Sequence, residues 1–380
     1  MSAKRISILD SFRFLAIIAV MLYHFTYRWT GLYHYEGFFG DWFAYGYYGV
    51  EFFFIISGFV ICYTLENTSG PASFWKNRLI RLLPPMVVCS LITFLVFIAF
   101  DNKNIFPNAH AVENFLPSLT FTKPGIWTML ARQRFDFDYI NLSYWSLWVE
   151  VQFYIVASVF FFANPGAFFK RLIILALVVN ALNWIPTSFM LDPASHHLPH
   201  FLQNGLTKIY FFTKLFDLKY YLTWFVIGAF FQRLFMKREI KPLSLEGIGM
   251  TLLFINQFYC CELWQLKAFY LLMLLLFYCM VYKERVLSFL DKPFLRRVGV
   301  LSYSIYLIHE MIGVLLINKI GPYLGKWSPV MPLIVIGLAI GFGELSYRLY
   351  EKRVSGFLKK MLFKPKPAAS VDAVPGGSSF

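Results

Sequence analysis

The chain has 380 residues, of which 58% are hydrophobic, 20% aromatic and 15% charged, with a formal net charge of +14. An ordinary soluble domain carries about 25% charged residues, so this composition excludes a soluble globule, and it excludes a disordered chain and a disulfide scaffold as well. Excess positive charge suits nucleic acid only when basic residues cluster on one soluble face.

Taken in chain order, apolar segments run over 8–27, 46–65, 84–101, 144–163, 171–190, 218–236, 243–261, 266–282, 300–318 and 329–349. Each is near the roughly 20 residues that a spanning helix needs. The pattern predicts an all-α polytopic membrane protein of about ten transmembrane helices. With the N-terminus in the cytoplasm, the basic residues at 4–13, 76–81, 170–171, 233–241, 283–297 and 348–366 all fall on the cytoplasmic side, 24 of the 35 Lys and Arg. An odd number of spans would break this alternation, so the C-terminus is expected in the cytoplasm too. The charge then orients helices, and no nucleic-acid partner is needed to explain it.

The first apolar run is not followed by a small-x-small cleavage site, so it is expected to remain as a membrane helix. Residues 1–360 read as one transmembrane domain and 361–380 as a basic, then low-complexity, disordered tail. The five cysteines, Cys62, Cys89, Cys260, Cys261 and Cys279, lie in or beside apolar runs without metal-ligand spacing and read as small buried hydrophobes. His196, His197 and His200 resemble a metal site at first sight, but Pro199 prevents the helix that would bring His196 and His200 together, and no metal is expected.

A charge within a span costs about 2.5–3.5 kcal/mol on insertion scales, which makes each one a functional candidate. Arg13 and His24 are eleven residues apart, about 20° past three full turns, and hence share one stripe of the first span about 16 Å apart. A permanent cation near the cytoplasm and a titratable ring deeper in suit a long anionic donor whose reactive end enters the membrane. Arg13 would hold a phosphate, and His24 would take a proton from an acceptor hydroxyl.

Glu51 opens the second span and requires a cation, a hydrogen-bond partner or water. Ser57 and Gly58 follow bulky aromatics; the small pair either lets helices approach or makes room for a ligand. Arg78 and Arg81 are neighbours on a helix at the cytoplasmic mouth, as a phosphate site or as plain topological charge. Trp145 reads as part of an interfacial aromatic belt, and Glu150, five residues on, as the carboxylate that orients His24 or as a structural hydrogen-bond acceptor. Ser302, Tyr306 and His309 share a face of the ninth span, with His309 as a second active-site group or a packing residue. Glu344, Arg348 and Glu351 read as a salt-bridge ladder, and Asp136 and Asp138 as loop residues that contact a polar acceptor or only solvate the loop.

At these residues the chain resembles the acyltransferase-3 family of integral membrane acyltransferases. The resemblance runs from Ile8 to about Arg353 and rests on five motifs in order: Arg13 with His24, Phe53 to Gly58, Arg78 with Arg81 followed by Pro84, Trp145 to Glu150, and Ser302 to His309. It implies acyl-CoA, with acetyl as the acyl group, as cytoplasmic donor and His24 as catalytic residue. Arg13, Arg78 and Arg81 would bind the donor or organise the site, and Ser57 and Gly58 would line the chamber. It implies a glycan or lipid-linked saccharide as acceptor, membrane lipid as surroundings and the bacterial inner membrane as location. Many relatives carry a further esterase-like domain after the tenth span; this chain is expected to act alone or with a separate protein. The residues fit direct attack assisted by His24 as general base, and equally an acyl-histidine route. The competing classes are a transporter or flippase, for which no paired broken spans are found, and a non-catalytic component of a polysaccharide assembly complex.

Overall fold

The computed structural model describes residues 6–32, 35, 41–183, 199–203, 205 and 214–363. The principal helices are α1 (Ile8–Tyr23), α2 (Gly49–Glu66), α3 (Pro71–Phe100), α4 (Trp145–Ala163), α5 (Phe168–Asn183), α6 (Leu218–Phe235), α7 (Leu245–Cys260), α8 (Trp264–Tyr282), α9 (Pro293–Ile320), α10 (Met331–Ser346) and α11 (Lys352–Leu362). There is no strand among the described residues. Seven helical segments are long and apolar enough to cross a membrane, and one of these, 293–362, contains α9, α10 and α11. The chain is an all-α, multi-pass integral membrane protein.

Each of the ten expected apolar segments coincides with one of α1 to α10. The largest difference is α3, which starts at Pro71 and runs unbroken through Pro84 and Pro85. Proline removes a backbone donor and so frees the carbonyl four residues earlier. Here Ser355 Oγ of α11 donates to the freed Ile80 carbonyl, and Tyr303 of α9 donates to the Leu82 carbonyl two residues on at 3.1 Å. Arg78 and Arg81 therefore sit on the same continuous helix as the apolar segment that follows them.

Two close approaches set the bundle. A Cβ on Gly299 of α9 would lie 1.7 Å from the Asp10 carbonyl oxygen of α1, so only glycine lets these backbones touch. On α2, a Cβ on Gly58 would lie 2.1 Å from the Phe225 carbonyl of α6, and the reciprocal Gly228 meets Ile55 in the same way. Small residues at helix crossings are the usual solution in lipid, where close packing replaces the hydrophobic drive. Around them a continuous aromatic core forms, in which Phe153 and Phe225 stack at 4.3 Å and Phe54 and Phe225 at 4.8 Å.

Outside the spans, residues 101–144 are pinned by side chains. Asp101 accepts from Ile105 N, Phe106 N and the His110 ring. Burial raises its carboxyl pKa, but these donors outweigh the burial and hold it below the usual carboxylate range.

Several expectations are corrected here. Cys62, Cys89, Cys261 and Cys279 are buried, but Cys260, at the end of α7, is exposed. The ladder is only partly formed: Glu344 pairs with Arg348 and with Arg297 of α9. Glu351 instead accepts from Ser304 and Ser346, because a π-turn over Tyr347–Glu351 directs it inward. His196 and His197 lie outside the described residues, as does the tail beyond 363, and His200 is exposed.

The α2–α6 contact generates a test. Gly58→Ala should destabilise the protein by ~1–3 kcal/mol or more through overpacking against backbone, read as a lower thermal midpoint in detergent. Gly337→Ala, which meets nothing within 4 Å, should leave the midpoint unchanged.

Candidate active site

Helices α1, α2, α3, α4 and α9 enclose a cavity of about 80 Å³, room for roughly half a dozen water-sized groups. Its walls bring together Arg13, Ser57, Arg78, Arg81, Ser146, Glu150, Tyr154, Ser302 and Tyr306 on an otherwise apolar surface that includes Phe53 and Phe54. Three guanidinium groups face one carboxylate, so the chamber is electropositive.

Each cation is held differently. Arg13 Nη1 lies 2.6 Å from Asp10 Oδ1, one turn back on α1. Arg78 is buried, donates to Thr64 Oγ1 at 3.0 Å, and packs its guanidinium over the rings of Phe74 and Tyr154. Its Nε has no hydrogen-bond partner among the described residues. Arg81 is exposed at the chamber mouth. Glu150 accepts from Ser57 Oγ and from Tyr154 OH, both at 2.5 Å.

This geometry corrects the expectation that Glu150 orients His24. The carboxylate beside His24 is Glu310 of α9: its Oε1 lies 3.1 Å from His24 Nδ1 and accepts from Trp29 Nε1 at 3.3 Å, while its Oε2 accepts from Ser143 Oγ. The physical reason is the glycine-mediated contact of α9 with α1, which runs Glu310 along the end of α1 where a π-turn over His24–Arg28 begins. Such turns are frequent at functional sites. Glu310 is a functional candidate that the sequence reasoning passed over; the signal was a carboxylate in the middle of an apolar helix.

Arg13 borders the chamber and His24 does not. Between them stands a row of rings: Tyr306 on the chamber wall, His309 at 5.3 Å from it, and His24 at 5.1 Å from His309, all centroid distances. His309 is buried, and its Nδ1 lies 2.8 Å from the Tyr306 carbonyl. A carbonyl can only accept, so Nδ1 carries the proton and Nε2, which has no hydrogen-bond partner among the described residues, keeps its lone pair. Tyr306 OH donates to the Ser143 carbonyl at 3.0 Å and shares a 2.7 Å contact with Ser146 Oγ.

The remaining candidates lie elsewhere. Gly58 does not line the chamber; it faces α6, where packing explains it, which corrects its expected place at the donor. Glu51 is in the first turn of α2, where the helix dipole favours a carboxylate, and its buried Oε2 has no hydrogen-bond partner among the described residues. Trp145 begins α4 outside the chamber and is 38% exposed. Among the described residues no group of His, Cys, Asp and Glu is arranged to hold a metal.

The helical membrane bundle thus holds a basic chamber and, two rings away, a histidine–carboxylate pair. The profile of a family described as acyltransferase domain matches residues 6–343, and the chain belongs to this family, acyltransferase-3. It is similar to proteins named O-acetyltransferase OatA from Staphylococcus aureus strains NCTC 8325 / PS 47, COL and MRSA252, each 27% identical over 94% of this chain and 58% of the relative. The chain thus spans a little over half the length of the curated relatives it matches. No solved structure matches.

The pairing of His24 has a spectroscopic consequence. In protein labelled with 15N-histidine, Glu310→Gln should shift the His24 Nδ1 resonance, and Glu150→Gln should leave it in place; the reverse pattern would return the orienting role to Glu150.

Proposed function

We propose that the chain is a membrane-embedded O-acetyltransferase of the bacterial plasma membrane that moves an acetyl group from acetyl-CoA to a hydroxyl of a cell-surface or lipid-linked polysaccharide. The observation that carries this reading is the convergence of Arg13, Arg78 and Arg81 on one intramembrane chamber, two rings away from the His24–Glu310 pair. The names of the relatives support the acetyl group and the oxygen acceptor.

In this reading the phosphates of the donor meet Arg81 at the mouth and Arg78 behind it, and the slender thioester arm enters between α2 and α9. Guanidinium groups suit phosphates because they make paired, charge-assisted hydrogen bonds. Tyr306 and His309 are the rings the thioester must pass to meet the acceptor. Glu310 Oε1, 3.1 Å from His24 Nδ1, favours the tautomer protonated at Nδ1 and so leaves Nε2 as the base. Nε2 takes the acceptor proton as its oxygen attacks the thioester carbonyl, the C–S bond breaks, and the imidazolium returns the proton to the departing thiolate. Glu310 stabilises the transient imidazolium, the role carboxylates have in hydrolytic triads.

The test is acetyl transfer from radiolabelled acetyl-CoA by purified, folded protein. His24→Ala should lower kcat by roughly 10²–10⁴-fold, the usual contribution of a positioned base; wild-type turnover would overturn the mechanism. Replacing Arg78 and Arg81 together by Gln should raise the KM for acetyl-CoA about ten- to a hundred-fold, as expected for loss of hydrogen bonds to charged groups, with a smaller change at saturation. Unchanged CoA affinity would remove the arginines from donor binding.

A further inference from the structure

A second cavity of about 570 Å³ opens near the start of α4, at the end of the bundle opposite Arg78. Arg78 packs on Tyr154, nine residues along α4 from Trp145 and so about 14 Å away along the axis. The cavity is within the usual range for a small-ligand site. Its lining combines rings with a few polar groups: Trp145, Tyr220 and Tyr221 beside Lys123, Asp138 and Asp217.

The pocket is built, not a gap between loops. Gln152 of α4 donates to the Leu215 carbonyl and accepts from Leu218 N, both at 2.8 Å, which fixes the start of α6 against α4. Lys123 Nζ binds Asp217 Oδ1 at 2.7 Å and the Lys214 carbonyl at 2.9 Å, which ties the opposite wall to the same segment.

One short segment is shared with the active site. Residues Leu142–Tyr144 form a 3-10 turn that continues into α4, so positions three apart lie on one side. Leu142 and Trp145 face the outer pocket. Ser143 and Ser146 face inward, Ser143 to Glu310 and Ser146 to Tyr306 and the chamber. A ligand in the outer pocket is therefore one wall away from the carboxylate that holds His24. A single layer of rings also separates the two cavities: Phe54 of the chamber lies 5.2 Å from Tyr221 and 6.5 Å from Trp145.

The two cavities differ in charge. The chamber has three arginines against one glutamate, one of those arginines paired with Asp10; in the outer pocket Asp138 and Asp217 are balanced by Lys123, which pairs with Asp217, and by Lys219, whose ammonium packs 4.6 Å from the Tyr220 ring. The second pocket is therefore close to charge-balanced and lacks the arginine cluster that would hold phosphates. Flat rings with carboxylates and an ammonium group match a neutral sugar, whose C–H face is apolar and whose rim is hydroxylated.

We propose that the pocket formed by Trp145, Tyr220, Tyr221, Asp138 and the Lys123–Asp217 pair is the acceptor subsite and binds one pyranose ring of a glycan. The inference rests on the transferase reading above for the word acceptor, while saccharide binding is measurable without any acetyl transfer. Tyr220 is 60% exposed, with the Lys219 ammonium 4.6 Å from its ring, and it has no role in the core. Asp138 accepts sugar hydroxyls, and the Lys123–Asp217 pair offers a donor and an acceptor side by side.

The experiment is a printed array of microbial oligosaccharides probed with the fluorescently labelled full chain in detergent. The wild-type protein should retain at least one saccharide, and His24→Ala should retain it equally. Tyr220→Ala and Asp138→Asn should each weaken it at least ten-fold, and Tyr220→Phe, which keeps the ring, should restore it. In the transfer assay the same two variants should raise the KM for that saccharide and leave the KM for acetyl-CoA unchanged. An array on which no saccharide is retained, or retention that survives both variants, overturns the subsite. A wild-type protein that binds the saccharide but transfers no acetyl group overturns the transferase reading and leaves the sugar site standing.

Discussion

The structure depends on the requirement that ionisable groups inside a lipid-facing bundle be given partners from within it. Glu310 shows how this is met. It is buried in the middle of α9, and the groups around its two oxygens come from three places: His24 where α1 ends, Trp29 in the turn beyond, and Ser143 before α4. Satisfying one carboxylate thus locks the ends of α1 and α4 onto α9. The same groups place one ring nitrogen of His24 3.1 Å from a buried carboxylate, the geometry on which the proposed proton transfer rests. In this bundle the cost of burying charge and the construction of the site are met by the same contacts.

The chamber applies the requirement with opposite sign. Arg78 is buried, yet the rings of Phe74 and Tyr154, the Thr64 hydroxyl and the nearby Glu150 only partly satisfy it, and its Nε has no hydrogen-bond partner among the described residues. A structural arginine would be expected to have its donors filled. An unfilled donor facing an electropositive chamber fits a site completed by an anionic ligand. The pocket across the 142–146 segment lacks such a cluster of arginines and lies one wall away from the chamber.

Helix-breaking and helix-packing residues place these groups. A serine of α11 reaches the Ile80 carbonyl that Pro84 frees in α3, and Tyr303 of α9 donates to the Leu82 carbonyl two residues on, so the helix carrying both arginines is tied to the helix carrying Tyr306 and Glu310. Gly299 and Gly58 allow backbone contact of α9 with α1 and of α2 with α6. A larger side chain at Gly299 would push apart two walls of the site, α1 and α9, before it altered any functional group.

Much of this was legible in the sequence because lipid makes its demands locally. Each span must be apolar over its own length and each charge within it is conspicuous, so the helices and Arg13, His24, Arg78, Arg81 and Glu150 could be singled out one at a time. What a linear reading could not supply is which helix neighbours which. It matched His24 with Glu150 because both were conspicuous, whereas the α1–α9 contact through Gly299 puts Glu310 there and leaves Glu150 to Ser57 and Tyr154. It read Gly58 as open to a ligand or to a helix, and only the position of α6 decided for the helix. The sequence by itself determined a helical membrane protein with a basic and a histidine-bearing stripe, since these follow from periodicity and the cost of charge in lipid. Only the tertiary structure decided the pairings across helices, because they depend on backbone approaches of a few ångströms between segments hundreds of residues apart.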